Sequence, residues 1–304
     1  MRIAVTGGTG FIGKVVVKRL LDAGLETVVL SRDPVKAAFQ MDRRVRCAPW
    51  SASMSPEELA EAIEGCAAIV HLAGENVGAG RWTESRKRAL VESRTIGTQT
   101  LVQAISRMNE KPRTFVAASA VGFYGDRGDE LLDESSAPGA GFLTDLCIAW
   151  EAAARQAEKL GVRVVSLRIG MAVGRGGGAL EKMALPFRMF AGGHIGSGNQ
   201  WVPWVHVEDV AGLVMFALNN AGAPSVMNVC APEPVQLKTF CRELGRVMNR
   251  PSWFPVPGFV LKTALGEQST IVLSSTRAEP KAALSAGYTF RFPDVSSALR
   301  EAVS

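Results

Sequence analysis

Short apolar stretches alternate with amphipathic stretches through the first half of the chain. Ala67–Leu72 is a continuous apolar run, which is typical of a strand buried on both faces of a parallel sheet. From Ile12 to Leu21 the apolar residues recur at helical spacing, and Gly24 follows where a helix would end. The same alternation predicts strands at Arg2–Val5, Thr27–Leu30, Thr114–Ala118 and Arg163–Leu167, and helices at Pro56–Gly65, Glu84–Ser106 and Phe142–Leu160. Strands separated by helices predict an α/β fold with a doubly wound parallel sheet.

The pattern changes after Arg168. Glycine clusters then surround one amphipathic helix predicted at Leu180–Phe190, and prolines interrupt the last part of the chain. We therefore predict that residues 1–168 form the sheet domain and that residues 169–304 form a smaller C-terminal substrate-binding lobe at the carboxyl edge of the sheet. A further strand-then-helix pattern indicates that residues 205–231 return to the first domain.

The composition narrows the classes of protein that fit. The 304 residues are 47% hydrophobic and 21% charged, an ordinary globular balance that excludes a disordered or fibrous protein. A net charge of +5 without a basic run interleaved with aromatic residues favours a small phosphate-bearing ligand over nucleic acid. Five widely spaced cysteines and three histidines indicate neither a disulfide framework nor a metal site. We expect a cytoplasmic protein that has no signal peptide and does not act at a membrane.

Three glycines mark the first turn of the predicted fold. Gly7, Gly10 and Gly13 are spaced G-x-x-G-x-x-G between the first strand and the first helix. Glycine there permits a tight turn, lets the backbone approach a pyrophosphate and lets the helix lie close to the sheet. The phosphates would then bind at the positive end of the helix. The motif predicts a Rossmann-type dinucleotide site, whereas the alternative is a glycine-rich connector that binds nothing.

The end of the second strand distinguishes the two nicotinamide dinucleotides. An NAD enzyme commonly has a carboxylate there to hold the ribose 2′-hydroxyl, but this strand ends in Ser31 and Arg32. A guanidinium can hold a 2′-phosphate through two hydrogen bonds. Asp33 comes one residue later and could pair with Arg32. The sequence therefore predicts NADP (NADPH) as the cofactor, although Arg32 could also be a solvated surface arginine.

Several motifs together resemble the extended short-chain dehydrogenase/reductase superfamily. They match in particular its branch of NAD(P)-dependent epimerase/dehydratase-like proteins, which carry a C-terminal domain of unknown function. The matching segments are Thr6–Gly13, His71–Asn76, Ser119–Gly125, Gly176–Met183, Gly196–Trp201, Trp204–Asp209 and the tail from Leu265 to Phe290. The resemblance implies cofactor contacts at Gly7, Thr9, Gly10, Phe11, Ile12, Gly13, Ser31, Arg32, Leu72, Ala73, Gly74 and Arg168.

The sequence departs from the superfamily at its reaction centre, which is a Ser or Thr together with Tyr-x-x-x-Lys. Four residues after Tyr124 is Gly128, and four residues after Tyr288, the other tyrosine, is Phe292. The usual Ser or Thr position falls on Ala120, one residue after Ser119. The ordinary mechanism, in which a lysine lowers the pKa of the tyrosine, is therefore absent from this chain.

Other residues remain candidates for the chemistry. Tyr124, Ser119 and Glu75 are the catalytic candidates, with Glu75 as a general base if burial raises its pKa. Cys147 fits a buried, inert thiol better than a reactive one. Arg81, Arg94 and Arg168 could each contact a phosphate or an anionic substrate, although Arg94, in the middle of a helix, fits a solvated arginine as well. His206 fits a residue that caps a helix or pairs with Asp209 better than a catalytic one. Trp82, Trp150, Trp201 and Trp204 could line a flat pocket or belong to the core.

Two functions fit these observations. The first is an NADP(H)-dependent epimerase or oxidoreductase acting on a small polar substrate, by analogy a nucleotide sugar held by Lys182 or Arg188. The second is an NADPH-binding sensor or scaffold without turnover, because the nucleotide motif is intact while the Tyr-Lys pair is missing. Loss of that pair weakens epimerisation more than reduction. A homodimer is compatible with the sequence.

Overall fold

Parallel strands and the helices that connect them make up most of the fold. The structure, a computed structural model, describes residues 1–51 and 53–304. The strands in chain order are β1 (Arg2–Thr6), β2 (Glu26–Ser31), β3 (Arg46–Pro49), β4 (Ala68–His71), β5 (Thr114–Ala120), β6 (Leu131–Leu132), β7 (Arg163–Ile169), β8 (Met171–Val173), β9 (Trp201–Val202), β10 (Trp204–His206), β11 (Val226–Val229), β12 (Val235–Gln236) and β13 (Arg277–Ala278).

The helices differ in length and position along the chain. They are α1 (Phe11–Asp22), α2 (Pro34–Gln40), α3 (Pro56–Ile63), α4 (Glu84–Arg107), α5 (Phe142–Arg155), α6 (Ala179–Arg188), α7 (Val207–Asn219), α8 (Leu237–Met248), α9 (Gly258–Leu265), α10 (Thr270–Leu273), α11 (Lys281–Ser285) and α12 (Val295–Val303). Short 3₁₀ turns lie at Val121–Tyr124, Gln156–Leu160 and Gly266–Ser269.

The central sheet has the predicted doubly wound topology. Among the residues that the structure describes, seven parallel strands pair in the order β11-β7-β5-β4-β1-β2-β3. The chain runs outward from β1 to β3, then returns to β4 on the other side of β1 and continues outward to β11. The direction of winding therefore reverses between β1 and β4, and ligands of such sheets bind outside the carboxyl ends of the strands at this point. The predicted fold class is confirmed.

Helices cover the sheet on both faces, because adjacent residues of each strand point to opposite sides. Ile3 and Val5 of β1 pack with α1 and α7, whereas Ala4 packs with α3 and α4 on the opposite face. Every one of these strand residues is fully buried. Burial on both faces is why the strands are continuously apolar in the sequence.

The carboxyl-terminal part of the chain forms a second apolar cluster. Leu180 of α6, Phe240 of α8 and Leu299 of α12 are buried together there. β11 instead pairs with β7 in the central sheet, and α7 packs on α1. The chain thus contributes to the sheet again after the segment that holds α6. The predicted boundary at residue 168 stays a prediction.

Some elements differ from the sequence prediction. α2, β3 and β11 were not predicted, and the helix predicted at Phe142–Leu160 ends at Arg155 and continues as a 3₁₀ turn. α2 buries only Ala37, and β3 buries only Ala48, so neither shows a clear apolar period. No helix in the described part of the chain is both long and apolar enough to cross a membrane.

Asp209 fixes the chain terminus to the sheet domain. This α7 carboxylate is buried and accepts hydrogen bonds from the backbone N–H groups of Arg291 and Phe292, at 2.7 and 2.9 Å. Replacing Asp209 with Ala would leave two N–H groups without partners. We expect Asp209→Ala to lower the free energy of unfolding by about 2–4 kcal/mol, as measured by urea denaturation. Ser55→Ala, which removes the exposed cap of α3, is the control and should cost about 1 kcal/mol. An equal loss in both variants would contradict the anchoring role.

Candidate functional site

The glycine turn between β1 and α1 is closed so tightly that side chains are excluded. Gly7 has a φ of +69°, in the left-handed region that favours glycine, and a Cβ there would lie 2.8 Å from the carbonyl carbon of Leu72. A Cβ on Gly13 would overlap the carbonyl oxygen of Gly7. The turn therefore brings the first helix onto the loop that follows β4.

The amino terminus of α1 opens at the carboxyl edge of the sheet. Gly10 is its N-cap and offers no side chain to the first N–H groups, and no acidic residue lies in the first turn. N–H donors without a side-chain cap and the helix dipole both favour an anion at such a helix terminus. Among the predicted cofactor contacts, Thr9 lies just before the N-cap Gly10, and Phe11 and Ile12 are the first two residues of α1.

A second glycine cluster lies against the same turn. A Cβ on Gly177 would lie 2.8 Å from the Phe11 ring, and one on Gly178 would lie 2.9 Å from it. The segment between β8 and α6 therefore packs against the first residue of α1. The sequence showed this glycine cluster but gave no sign of its partner.

The end of β2 presents an exposed guanidinium. The Arg32 side chain is 77% exposed, and its Nη1 lies 3.3 Å from Oε1 of Glu75. Asp33 does not pair with Arg32, because its carboxylate accepts the N–H of Lys36 and caps α2. The Ser31 hydroxyl donates to the carbonyl oxygen of Asp33.

The loop after β4 holds Leu72, Ala73, Gly74 and Glu75. Glu75 lies between two guanidinium groups, because Nη1 of Arg86 is 3.1 Å from its Oε2 while Arg32 contacts its Oε1. The Glu75 side chain is 33% exposed. The geometry thus gives Glu75 ion-pair partners, and its role as a general base stays a prediction.

Arg94 of α4 contacts the same loop. Its guanidinium donates to the carbonyl oxygens of Leu90 and Glu75 and lies over the Trp150 ring. A Cβ on Gly74 would lie 3.1 Å from the guanidinium carbon, so glycine makes room for it. The side chain is almost completely buried, and no ion pair among the described residues includes it.

A buried ionic network occupies the carboxyl ends of β5 and β7. Nε and Nη2 of Arg168 donate to the two carboxylate oxygens of Glu151, at 2.9 and 3.1 Å. The Ser119 hydroxyl donates to Oε1 of Glu151 at 2.7 Å. Nη1 of Arg168 donates to the Tyr124 hydroxyl at 3.0 Å. The Arg168 guanidinium is therefore held by protein groups at all three of its nitrogens.

The two hydroxyl candidates are engaged in this network. Tyr124 is fully buried, and its hydroxyl lies 2.8 Å from Oδ1 of Asn228 and 2.9 Å from the carbonyl oxygen of Asp133, both of which only accept. Burial raises the pKa of Tyr124 to about 12, although Arg168 acts against the rise. The Ser119 proton points to Glu151. Catalytic roles for Tyr124 and Ser119 stay predictions.

A buried thiol lies on α5, next to the turn that follows β5. Cys147 of α5 is buried, and burial raises the pKa of its thiol to about 11. A Cβ on Gly122 would lie 3.3 Å from Cβ of Leu143 and 3.8 Å from Sγ of Cys147. The helix and the turn after β5 therefore pack closely at this point.

The four tryptophans do not line one pocket. Trp150 and Trp204 are buried, Trp82 packs edge-on against Phe142, and Trp201 donates to Oδ1 of Asp129. His206 caps α7 and pairs with Glu301 at 2.8 Å, rather than with Asp209. Neither observation connects these residues to the glycine turn.

A cavity of about 490 Å³ lies beside Trp201, because Gln200, the residue before it, forms part of the wall. Its wall combines polar side chains with the apolar Phe259 and Leu273, and carries one cation, Lys262, and one carboxylate, Asp129. The lining residues are Gly128, Asp129, Gly196, Ser197, Asn199, Gln200, Gly258, Phe259, Lys262, Leu273 and Ser275. Lys182 and Arg188 are not among them; Lys182 contacts the carbonyl oxygen of Gly78 instead. No group of three metal-ligating side chains occurs among the described residues.

Known proteins resemble this chain along its whole length. It is 38% identical to the epimerase family protein YfhF of Bacillus subtilis, over 100% of this chain and 98% of that protein. It is 39% identical to the chloroplastic SDR39U1 homolog of Arabidopsis thaliana, over 99% of this chain and 86% of that protein. The crystal structure of human epimerase family protein SDR39U1 (isoform2) with NADPH has a TM-score of 0.88 and 34% identity, and covers 99% of both chains.

Two family models match in succession. Residues 256–302 match a domain of unknown function, DUF1731. Residues 3–230, which include the glycine turn and all of the central sheet except Arg2, match the NAD dependent epimerase/dehydratase family. The chain belongs to the NAD-dependent epimerase/dehydratase family, within the extended short-chain dehydrogenase/reductases.

Proposed function

We propose that this chain binds NADP(H) at the glycine turn and acts with it on a small polar substrate. The observation that carries the proposal is the uncapped amino terminus of α1, which opens behind a turn where Gly7 and Gly13 exclude side chains. A pyrophosphate can approach the free N–H groups there without meeting a Cβ. The human relative of known structure was crystallised with NADPH.

Arg32 favours the phosphorylated dinucleotide. Its guanidinium is exposed beside the end of β2, where the ribose of a dinucleotide bound to this fold lies. Asp33, the carboxylate that could hold a ribose 2′-hydroxyl, is used as the cap of α2. The 3.3 Å contact with Glu75 is exposed and weak, so a 2′-phosphate can replace it.

Arg94 adds a second, buried cation to the proposed site. A guanidinium removed from water is costly unless an anion compensates it. Arg94 has backbone carbonyl partners but no carboxylate among the described residues. We infer that it faces a cofactor phosphate, whereas the Arg168 guanidinium is already paired with Glu151.

The cavity beside Trp201 is the proposed substrate site. The Asn199 amide nitrogen and the Ser197 hydroxyl can bind hydroxyls of a small polar molecule. The Gln200 amide donates to the carbonyl oxygens of Ile195 and Val272, and the Ser275 hydroxyl donates to that of Gly128. Lys262 is the one cation in the wall, so the cavity resembles a site for a neutral or singly charged substrate more than a diphosphate pocket. A nucleotide sugar, which carries a diphosphate, therefore has less support than a simpler polar compound.

The proposed activity is carbonyl reduction more readily than epimerisation. Bound NADPH would supply the hydride, and the protein has to orient the substrate and allow one proton to reach it. The Tyr124 hydroxyl is committed to Asn228 or Asp133, and Ser119 is committed to Glu151. Water entering the open cavity can supply a single proton, whereas epimerisation needs a group that both removes and returns one.

A non-catalytic NADPH-binding protein is the second candidate function. The same hydroxyls favour it, because Ser119 and Tyr124, the two that could stand in for the missing Tyr-x-x-x-Lys pair, both donate to protein groups. We expect the purified protein to oxidise NADPH in the presence of at least one small carbonyl compound, followed by nicotinamide absorbance. Absence of oxidation across a broad panel, with NADPH demonstrably bound, would favour the binding protein instead.

A paired titration with NADPH and NADH tests the cofactor proposal, with tryptophan fluorescence as the readout. We expect tighter binding of NADPH. Arg32→Ala should weaken NADPH by about 1–3 kcal/mol, as for loss of a charged hydrogen bond, and leave NADH unchanged. Arg155→Ala is the matched control, because Arg155 is an exposed arginine at the carboxyl end of α5. Equal losses for both nucleotides would show that Arg32 does not contact the 2′-phosphate.

A substitution in the glycine turn tests the pyrophosphate site. We expect Gly10→Val to abolish binding of both nucleotides, because a branched side chain would cover the amino terminus of α1. A Cβ at Gly10 would meet only the Gly7 carbonyl oxygen, at 3.2 Å, so the fold should survive. Gly222→Val, in an exposed turn, is the control and should bind normally. Unchanged affinity in a folded Gly10→Val protein would disprove the site.

A further inference from the structure

His71 is fully buried at the end of β4, where it joins two loops of the proposed cofactor site. Its Nδ1 lies 2.6 Å from the hydroxyl of Thr6, the last residue of β1. Its Nε2 lies 3.0 Å from the hydroxyl of Thr98 on α4. The imidazole thus connects the start of the glycine turn to the helix that carries Arg94.

The direction of each hydrogen bond follows from its partners. The Thr98 hydroxyl donates its one proton to the carbonyl oxygen of Arg94, so it must accept from Nε2–H of His71. Burial lowers the pKa of His71 to about 3, so the ring is neutral and its Nδ1 carries no proton. Nδ1 therefore accepts from the Thr6 hydroxyl, whose oxygen in turn accepts the N–H of Ala73 at 3.2 Å.

This chain of bonds lies directly beneath the contact between the two loops. Gly7 follows Thr6 and touches the backbone of Leu72 and Ala73, where a Cβ would come within 3.0 Å. With its proton held by His71, the Thr6 oxygen turns a lone pair toward the Ala73 N–H. Losing the Nδ1 acceptor would free the Thr6 hydroxyl to rotate and loosen the register of the two loops.

We propose that His71 is a positioning residue for the cofactor, which acts through Thr6 to hold the glycine turn against the loop after β4. The proposal rests on the proposed function, because the cofactor is the ligand that these loops would bind. The Nδ1 atom, which accepts from Thr6, is the atom that positions the two loops. The Nε2 side, which bonds Thr98, contributes to stability alone.

Three substitutions separate the two sides of the ring. The amide of His71→Asn reaches the place of Nδ1 and can accept from Thr6, whereas the amide of His71→Gln reaches the place of Nε2 and can donate to Thr98. His71→Leu lacks both functions. We expect His71→Gln and His71→Leu to weaken NADPH binding about tenfold, and His71→Asn to stay within about threefold of the unmodified protein. The melting temperatures of the Asn and Gln variants should fall alike, since each leaves one buried hydroxyl without its partner.

Two isosteric variants address the same question if substitutions at the ring fail to fold. Thr6→Val and Thr98→Val each remove one buried hydroxyl. We expect weaker NADPH binding in Thr6→Val and near-normal binding in Thr98→Val at similar stability. Equal affinities for the Asn and Gln variants, or for the two Val variants, would show that the relay is only structural and would overturn the proposal.

Amide hydrogen exchange without cofactor keeps this outcome separate from the proposed function. We expect faster exchange at residues 7–10 and 73–74 in His71→Gln than in His71→Asn. Failure of the unmodified protein to bind NADPH would refute the proposed function. Equal exchange in the two variants would refute the positioning role of His71, whether or not NADPH binds.

Discussion

The close approach of the β1–α1 turn to the loop after β4 is the constraint on which the proposed site depends. Gly13 must lie against the Gly7 carbonyl, and Gly7 against Leu72, for α1 to begin where it does. Any Cβ at either glycine would push the helix away from the sheet and close the space above its amino terminus. The helix N–H groups stay available because Gly10 supplies no side chain to cap them. One set of backbone contacts therefore fixes both the first βαβ unit and its capacity to bind an anion.

The sequence predicted the sheet because its central strands are buried on both faces. Strands such as β4 and β5 are buried at nearly every position and are therefore mostly apolar, which leaves a pattern that can be recognised without a structure. Edge elements carry a weaker pattern. β3 buries only Ala48, and α2 buries only Ala37, so neither alternates clearly enough to be recognised. β11 joins the edge beside β7 and follows α7 after a short turn, with just four residues to show its character.

The cofactor loop could be predicted because its chemistry is local, whereas the partners of the catalytic candidates are distant in sequence. Gly7 to Gly13 occupy a single turn, and Ser31 and Arg32 are adjacent. Tyr124, in contrast, is engaged by Asn228, which lies 104 residues away, and Ser119 by Glu151. No local pattern shows that a hydroxyl is already committed to such a partner. For the same reason His71 looked like a strand residue, although it bonds Thr6 and Thr98 across two other elements.

Helix α5, which carries no Tyr-x-x-x-Lys motif, packs closely against the turn after β5. Cys147 and Leu143 pack against Gly122, and a lysine at residue 147 would bring a charge into a site whose carboxylate, Glu151, is already neutralised by Arg168. The buried ion pair in turn draws in the Ser119 and Tyr124 hydroxyls, because a paired carboxylate and guanidinium still need their remaining hydrogen bonds. The network thus connects the carboxyl ends of β5 and β7 and engages the protons of the Ser119 and Tyr124 hydroxyls. This arrangement is the reason why we propose a reaction in which the protein mainly orients two ligands, rather than one in which Tyr124 or Ser119 removes and returns a proton.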